Sequence, residues 1–142
     1  MTIAAILKTK GGDVLQVSPD ATVLSVVALL AEKRIGCVPV VDKGQVIGIF
    51  SERDVVHQLG GSGPAMLDAL VRDAMTAPAV TIESDMPVIS ALSLMTRRRI
   101  RHLPVVDGGT MVGFVSIGDL VKYRIDRIEA EAAALRDYIQ TA

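Results

Sequence analysis

The chain repeats itself, and that feature removes most of the folds open to 142 residues. A shift of 65 residues, the distance from Asp20 to Asp85, lays the second half on the first without a gap. Under it Val23 falls on Val88, Ser25 on Ser90, Leu29 on Leu94, and Arg34-Ile35 on Arg99-Ile100. Pro39-Val40-Val41-Asp42 falls on Pro104-Val105-Val106-Asp107, while Gly44, Gly48, Ser51 and Asp54 fall on Gly109, Gly113, Ser116 and Asp119. Identities that include Gly, Pro, Ser and Asp at fixed spacing are not what two unrelated apolar segments give by chance. Each half is one copy of the same supersecondary unit.

Periodicity gives the order within the unit. Val23, Val26, Val27 and Leu30 recur at i, i+3, i+4 and i+7, as do Val88, Ala91, Leu92 and Met95, so each set is the apolar stripe of a helix. Asp20 and Asp85 stand ahead of these helices as the expected N-caps. Two β-branched runs follow, Val38-Pro39-Val40-Val41 and Gln45-Val46-Ile47-Gly48-Ile49-Phe50, parted by the turn residues Asp42-Lys43-Gly44. The second half repeats them around Asp107-Gly108-Gly109. After each hairpin comes Ser-x-x-Asp, from Ser51 to Asp54 and from Ser116 to Asp119, at the spacing of a capping box that opens another helix. The expected order is strand, helix, strand, strand, helix, twice over. Gly60-Gly61-Ser62-Gly63-Pro64 reads as the linker, and 66–75 as a lead-in helix whose counterpart is 1–10. The expected divisions are a first repeat over 1–60, a linker over 61–65, a second repeat over 66–125 and a helical extension over 126–142.

Half the residues are apolar and the mean hydropathy is positive, yet the longest apolar stretch, around 23–31, is too short and too interrupted to cross a bilayer. The expectation is a soluble protein with part of its apolar area covered by a partner subunit. The start, Met1-Thr2-Ile3, has neither the basic segment nor the cleavage site of an export signal, so the expected compartment is the cytoplasm. The single cysteine, Cys37, excludes an internal disulfide framework and a thiolate-rich zinc site. His57 and His102 do not form a metal-spaced pair, and no metal is expected. A net charge of −1 gives no general pull toward nucleic acid or a membrane surface. Motifs of the GxSxG, P-loop, HExxH and GxGxxG kinds do not occur, so no catalysis is expected.

The strand with its internal proline (Gly36-Cys37-Val38-Pro39-Val40-Val41-Asp42 and Arg101-His102-Leu103-Pro104-Val105-Val106-Asp107), Gly48 and Gly113, and the two Ser-x-x-Asp motifs together resemble tandem cystathionine-β-synthase-type (CBS) domains, the paired arrangement called a Bateman module. The resemblance covers nearly the whole chain. It implies an α/β (α+β) module of two β-α-β-β-α repeats related by a pseudo-two-fold axis, with two clefts that take adenosine compounds. The implied ligand is AMP or a relative such as ADP, ATP or NADH, and the implied role is regulatory. In this family each cleft draws its Ser-x-x-Asp from one repeat and the strand leading into proline from the other. Carried onto this sequence, the first cleft combines Ile49, Ser51, Arg53 and Asp54 with Thr76, Ala79, Ile100, Arg101 and His102. The second combines Ser116 and Asp119 with Lys10, Ile35, Gly36 and Cys37.

The chemistry of these residues suits a nucleotide. An ionised aspartate at a helix start can accept both hydroxyls of a ribose in charge-assisted hydrogen bonds, which makes Asp54 and Asp119 the candidates. The free N–H groups behind each Ser offer a place for a hydroxyl or phosphate oxygen. For a lone Ser-x-x-Asp a simple helix cap is the better reading; recurrence at equivalent points favours a site. Arg53, Arg101 and His102 are the cations of the first cleft, and Gly118, Gly36 and Cys37 stand at the matching positions of the second, so the first is the expected phosphate site. With no Trp and only two Phe, base recognition is expected from backbone groups and aliphatic walls.

Other signals have plain readings beside them. Arg97-Arg98-Arg99 reads as a solvated helix C-terminus more readily than as a nucleic-acid patch. Cys37, between Gly36 and Val38, reads as a buried filler more readily than as a redox sensor. Arg53 and Asp54 have surface ion pairing as their alternative. The module's own alternative is an interaction unit with empty clefts. Beyond Gly118 the chain has no Gly or Pro, and Val121, Ile125, Ile128, Ala132, Leu135 and Ile139 recur at spacings of four and three. That seam is heptad-like, and a homodimer in which the helix takes part in assembly or carries a signal to an effector protein is expected, against a helix folded back on its own module.

Overall fold

A computed structural model describes residues 1–141; the last residue of the expected 126–142 extension, 142, lies outside the described residues. The elements run α1 (Ile3–Lys10), α2 (Val23–Lys33), β1 (Cys37–Asp42), β2 (Gln45–Ser51), α3 (Glu52–Ser62), a 3₁₀ segment (Gly63–Asp68), α4 (Val71–Ala74), α5 (Val88–Arg98), β3 (His102–Asp107), β4 (Thr110–Ser116) and α6 (Ile117–Thr141). The two halves are built alike. Each hairpin is antiparallel, β1 on β2 from Cys37↔Ser51 to Asp42↔Gln45 and β3 on β4 from His102↔Ser116 to Asp107↔Thr110, with an irregularity at the same place in both. The turns hold Lys43 and Gly44 at φ 51° and 79°, and Gly108 and Gly109 at 57° and 79°, the paired positive φ that a tight two-residue hairpin turn requires.

Five local expectations need correction. Thr22, not Asp20, caps α2: its side chain accepts from the Ser25 N–H at 3.2 Å. Pro87, not Asp85, precedes α5, where a fixed φ near −60° suits a helix entry. Asp20 forms an ion pair with Arg72 that ties the α2 approach to α4. The leading strand of each repeat shrinks to one parallel bridge, Val17 to Val40 and Ile82 to Val105. Pro19 has no N–H to extend the first ladder, and the Asp107 carboxylate draws the Ser84 N–H and hydroxyl away from the second. The glycines at 60 and 61 do not break the chain either. α3 runs through both and stops at Gly63, whose φ of 68° no other residue adopts cheaply. The expected helix over 66–75 is instead a 3₁₀ segment followed by the single turn α4, while its counterpart α1 forms as expected.

Two cores fill the module, and neither is made from one repeat alone. Val23, Val26, Leu30, Val38, Val40 and Phe50 close one core only with Met66, Val71 and Ala74 from the following segment. Val88, Ala91, Met95, Leu103, Val105, Val115 and Leu120 close the other only with Ile3 and Ile6 of α1. The boundaries 1–60 and 66–125 mark the sequence repeat, whereas each packed unit borrows its lead-in segment from across the chain. Gly48 and Gly113 make these approaches possible. A Cβ on Gly48 would lie 2.7 Å from the Thr76 carbonyl oxygen and 2.8 Å from Met75 Sδ, and one on Gly113 would collide with Leu7. The hairpins meet through β2 and β4, and α6 packs on α1, α5 and β4 through Leu120 and Tyr123 before leaving the module. From Arg124 onward every described residue of α6 is exposed, so the helix does not fold back.

Candidate functional site

Each helix that follows a hairpin begins at the motif serine, and the local hydrogen bonds aim the motif aspartate. In the first cleft the Ser51 N–H donates to Asp54 Oδ2 at 2.9 Å and the Ser51 hydroxyl to the same oxygen at 3.2 Å. Thr76 arrives from the other side: its backbone pairs with Ile49 in both directions, at 2.9 and 3.0 Å, and its hydroxyl donates to Asp54 Oδ1 at 2.8 Å. The carboxylate is therefore fixed, with lone pairs left over for a further donor. The first N–H of each helix is already committed, Glu52 to the Gly36 carbonyl at 2.9 Å and Ile117 to the Arg101 carbonyl at 2.8 Å, so the expected open helix N-terminus is narrower than the sequence suggests.

Around Asp54 opens a cavity of about 530 Å³. Ile49, Ser51, Arg53, Asp54, Thr76, Ile100, Arg101 and His102 all line it, and Ala79 does not. Four residues not expected in this cleft also line it: Glu52, Arg99 and the shared Gly36-Cys37 wall seen from its other side. Adjacency to the motif could have flagged Glu52; Arg99 is placed by its φ of 54° at the end of α5, which no pattern announces. Arg53 Nη1 donates to the Arg99 carbonyl at 3.3 Å, so this guanidinium bridges the repeats across the cleft mouth.

His102 departs from the expected cation. Burial lowers its pKa, the nearby Lys10 and Arg101 charges lower it further, and Asp119 and Glu52 only partly oppose them. At neutral pH it is a neutral ring, stacked on Phe114 with centroids 5.6 Å apart and planes 15° apart. Burial, with the Asp54 charge second, pushes the Cys37 thiol up to about 12, which supports its reading as a buried filler.

The second cleft is smaller, about 300 Å³, and Lys10, Ile35, Gly36, Cys37, Ser116 and Asp119 all line it. Its carboxylate is occupied. Lys10 Nζ donates to Asp119 Oδ2 at 2.6 Å and to the Phe114 carbonyl at 2.7 Å. The Ser116 N–H also donates to Asp119, at 2.8 Å, and the Asp119 N–H returns a bond to Ser116 Oγ at 3.1 Å. Burial alone would raise the Asp119 carboxyl, but the Lys10 ammonium and the Ser116 bonds outweigh it and hold the group below its usual range. Phe114 and the loop residues Gly11, Asp13, Val14 and Leu15 also line the cleft, beyond the expected set. An aromatic wall is thus present where aliphatic ones alone were expected. Gly36, Cys37 and His102 belong to both cavities, so the clefts share one partition.

Two α/β repeats that exchange lead-in segments and enclose paired clefts, each opened by a Ser-x-x-Asp helix start, define a tandem-repeat module. The CBS domain family matches over residues 5–61 and 71–126, and the chain belongs to that family. The CBS-domain protein ATU1752 of Agrobacterium tumefaciens is 38% identical, with a TM-score of 0.84 over 87% of this chain and 99% of that one. The mitochondrial CBS domain-containing protein CBSX3 of Arabidopsis thaliana is 34% identical over 98% of this chain and 72% of its own length. At 22% identity, the CBS domain pair of protein MJ0100, solved with 5′-methylthioadenosine and S-adenosyl-L-methionine, shares the fold with a TM-score of 0.78 over 89% of this chain and 98% of that one. Among the described residues no helix is long and apolar enough to cross a membrane, and no group of His, Cys, Asp and Glu is arranged to hold a metal.

Proposed function

We propose that this protein is a non-catalytic cytoplasmic sensor that binds an adenine nucleotide, AMP before ADP, ATP or NADH, in the first cleft and passes occupancy on as a change of shape or partner binding. The observation that carries the reading is Asp54: a carboxylate fixed by Ser51 and Thr76, with acceptor capacity to spare, inside a cavity of about 530 Å³. A vicinal diol matches two such acceptor sites, and small-molecule pockets commonly span about 300–1,000 Å³. Arg101 and Arg53 supply the charge for a phosphate, and a short phosphate chain suits two guanidinium groups at one mouth. The fold itself can enclose adenosine, since MJ0100 was solved with two adenosine compounds. Isothermal titration of AMP into the wild-type protein and Asp54→Ala tests the reading; unchanged affinity in the variant overturns it.

The alternative, an interaction module with an empty cleft, is favoured for the second site alone, because Lys10 already satisfies Asp119. The proposal includes a homodimer. Leu24 and Ile89 are exposed at repeat-equivalent positions, as are Val56 and Val121, and the α6 seam adds Ile125, Ile128, Leu135 and Ile139. Apolar area repeated in this way is what a second subunit covers. Light scattering on the full chain measures it, with a monomer as the contrary result. No metal, nucleic acid or membrane enters the proposal, and Arg97 and Arg98 stand exposed in the last turn of α5, where cations offset the helix dipole.

A further inference from the structure

α6 is 25 residues long, and only Leu120 is buried along it. Beyond its docked start, Val121, Ile125, Ile128, Leu135 and Ile139 are 42–65% exposed and fall on one seam with Ala132. Most of a protein helix's stability comes from packing its apolar face, and along this stretch that face is uncovered. The seam assigns heptad positions: Ile125, Ala132 and Ile139 at a, Val121, Ile128 and Leu135 at d. The flanking g positions are then Arg124, Glu131 and Tyr138, and the e positions Lys122, Glu129 and Arg136.

We propose that α6 forms a parallel, in-register two-stranded coiled coil with α6 of a second copy of this chain. In a parallel pair each g residue faces the e residue five positions later on the partner helix. Arg124 then faces Glu129 of the partner subunit, and Glu131 faces Arg136 of the partner subunit, so both complete pairs are of opposite sign. Antiparallel pairing over the same overlap sets e against e and g against g. It brings Lys122 to the partner's Arg136, Glu129 to the partner's Glu129 and Glu131 to the partner's Glu131, all of like sign. Exposed pairs of this kind are individually weak, so the seam supplies the affinity and the charges select the direction. Ile125 and Ile139 at a with Leu135 at d suit two strands, whereas Val121 and Ile128 put β-branched residues at the other two d positions. Both modules then sit at one end of the coil, and a change within the Asp119 cleft, which opens α6, reaches both helices at their base.

The proposal rests on the homodimer reading, and two measurements separate them. The full chain carrying Ile139→Cys is oxidised mildly and run under denaturing, non-reducing conditions; Cys37 is buried and does not compete. The parallel coil puts position 139 opposite itself and gives a covalent dimer. A protein that is dimeric by light scattering but does not cross-link overturns the coil and leaves the homodimer standing, whereas a monomer overturns both. Charge exchange supplies the second arm: Glu129→Lys weakens the dimer roughly tenfold, and Arg124→Glu added to it restores affinity only if the strands are parallel. Absence of rescue refutes the orientation.

Discussion

The two clefts descend from one repeated motif and differ most in what faces the motif acid. Where the first cleft has Met75 and Thr76, the second has Lys10 and Gly11. Thr76 lays its backbone on β2 and steadies Asp54 with a neutral hydroxyl, leaving the carboxylate charge uncompensated. Lys10 instead crosses to β4 with its ammonium and neutralises Asp119. The lesson is that a duplicated acid does not by itself make a duplicated site: what faces the acid decides whether it is a free acceptor or half of an ion pair.

The largest expected effect tests the acids themselves. Asp54→Ala removes charge-assisted bonds of about 1.5–3 kcal/mol each, so AMP affinity falls about a hundredfold or more. Asp119→Ala leaves AMP binding in the first cleft within a factor of about three and costs the capping of α6, about 0.5–2 kcal/mol of stability. Titration and thermal melting of both variants read the two effects. Equal losses of affinity would dissolve the distinction between the clefts.

The lock is tested next by Lys10→Met, which keeps the aliphatic stem and removes the ammonium. Asp119 is freed, its pKa rises toward the usual range because its strongest favourable partner is gone, and a second binding event appears in the titration. A titration still showing only one event would mean that the smaller volume, not Lys10, closes this cleft.

The repeat, the hairpins and the capping-box aspartates Asp54 and Asp119 are legible because identity at a fixed offset and turn chemistry code them locally, whereas the fifteen cleft positions come from the family resemblance, and fourteen of them line the two cavities. Ala79, carried over with the rest, does not line the first cavity. What stayed hidden depends on contacts distant in sequence. Nothing in 1–10 announces that Ile3 and Ile6 complete the far repeat's core, and the resemblance puts Lys10 in the Asp119 cleft without foretelling the ion pair the two form across 109 positions. Pattern reading also assigned His102 a charge that its burial removes.

A smaller effect separates the arginines. Arg101→Ala weakens AMP by about 1.5–3 kcal/mol and leaves adenosine nearly unchanged, since a charge-assisted phosphate contact is lost and nothing else. Arg53→Ala has the weaker effect of the two, because its guanidinium already serves the Arg99 carbonyl. Titration of both ligands into both variants decides this. An equal loss for adenosine would make these side chains shapers of the pocket and not phosphate ligands.

The smallest effect concerns the partition between the clefts. The folded state lowers the pKa of His102 from 6.5, so on acidification the unfolded chain takes up the proton first. The contribution is fully present above about 6.5 and is lost as pH falls from there to the folded value, below which this group adds no further slope. Asp119 works in a separate window: its carboxyl is held below 3.8, so its contribution is present above that value and disappears only as pH falls through the lower folded one. Melting temperature is recorded between about pH 8 and about pH 5, the range in which a histidine changes charge, and the difference between wild type and His102→Gln isolates this ring. Wild-type protein should lose stability across it, His102→Gln should lose less, and Lys10→Met should fall between them, because one cation that depresses the ring is gone while burial remains. A wild-type slope indistinguishable from that of His102→Gln would show that the ring titrates alike folded and unfolded, and that the two clefts do not communicate through its charge.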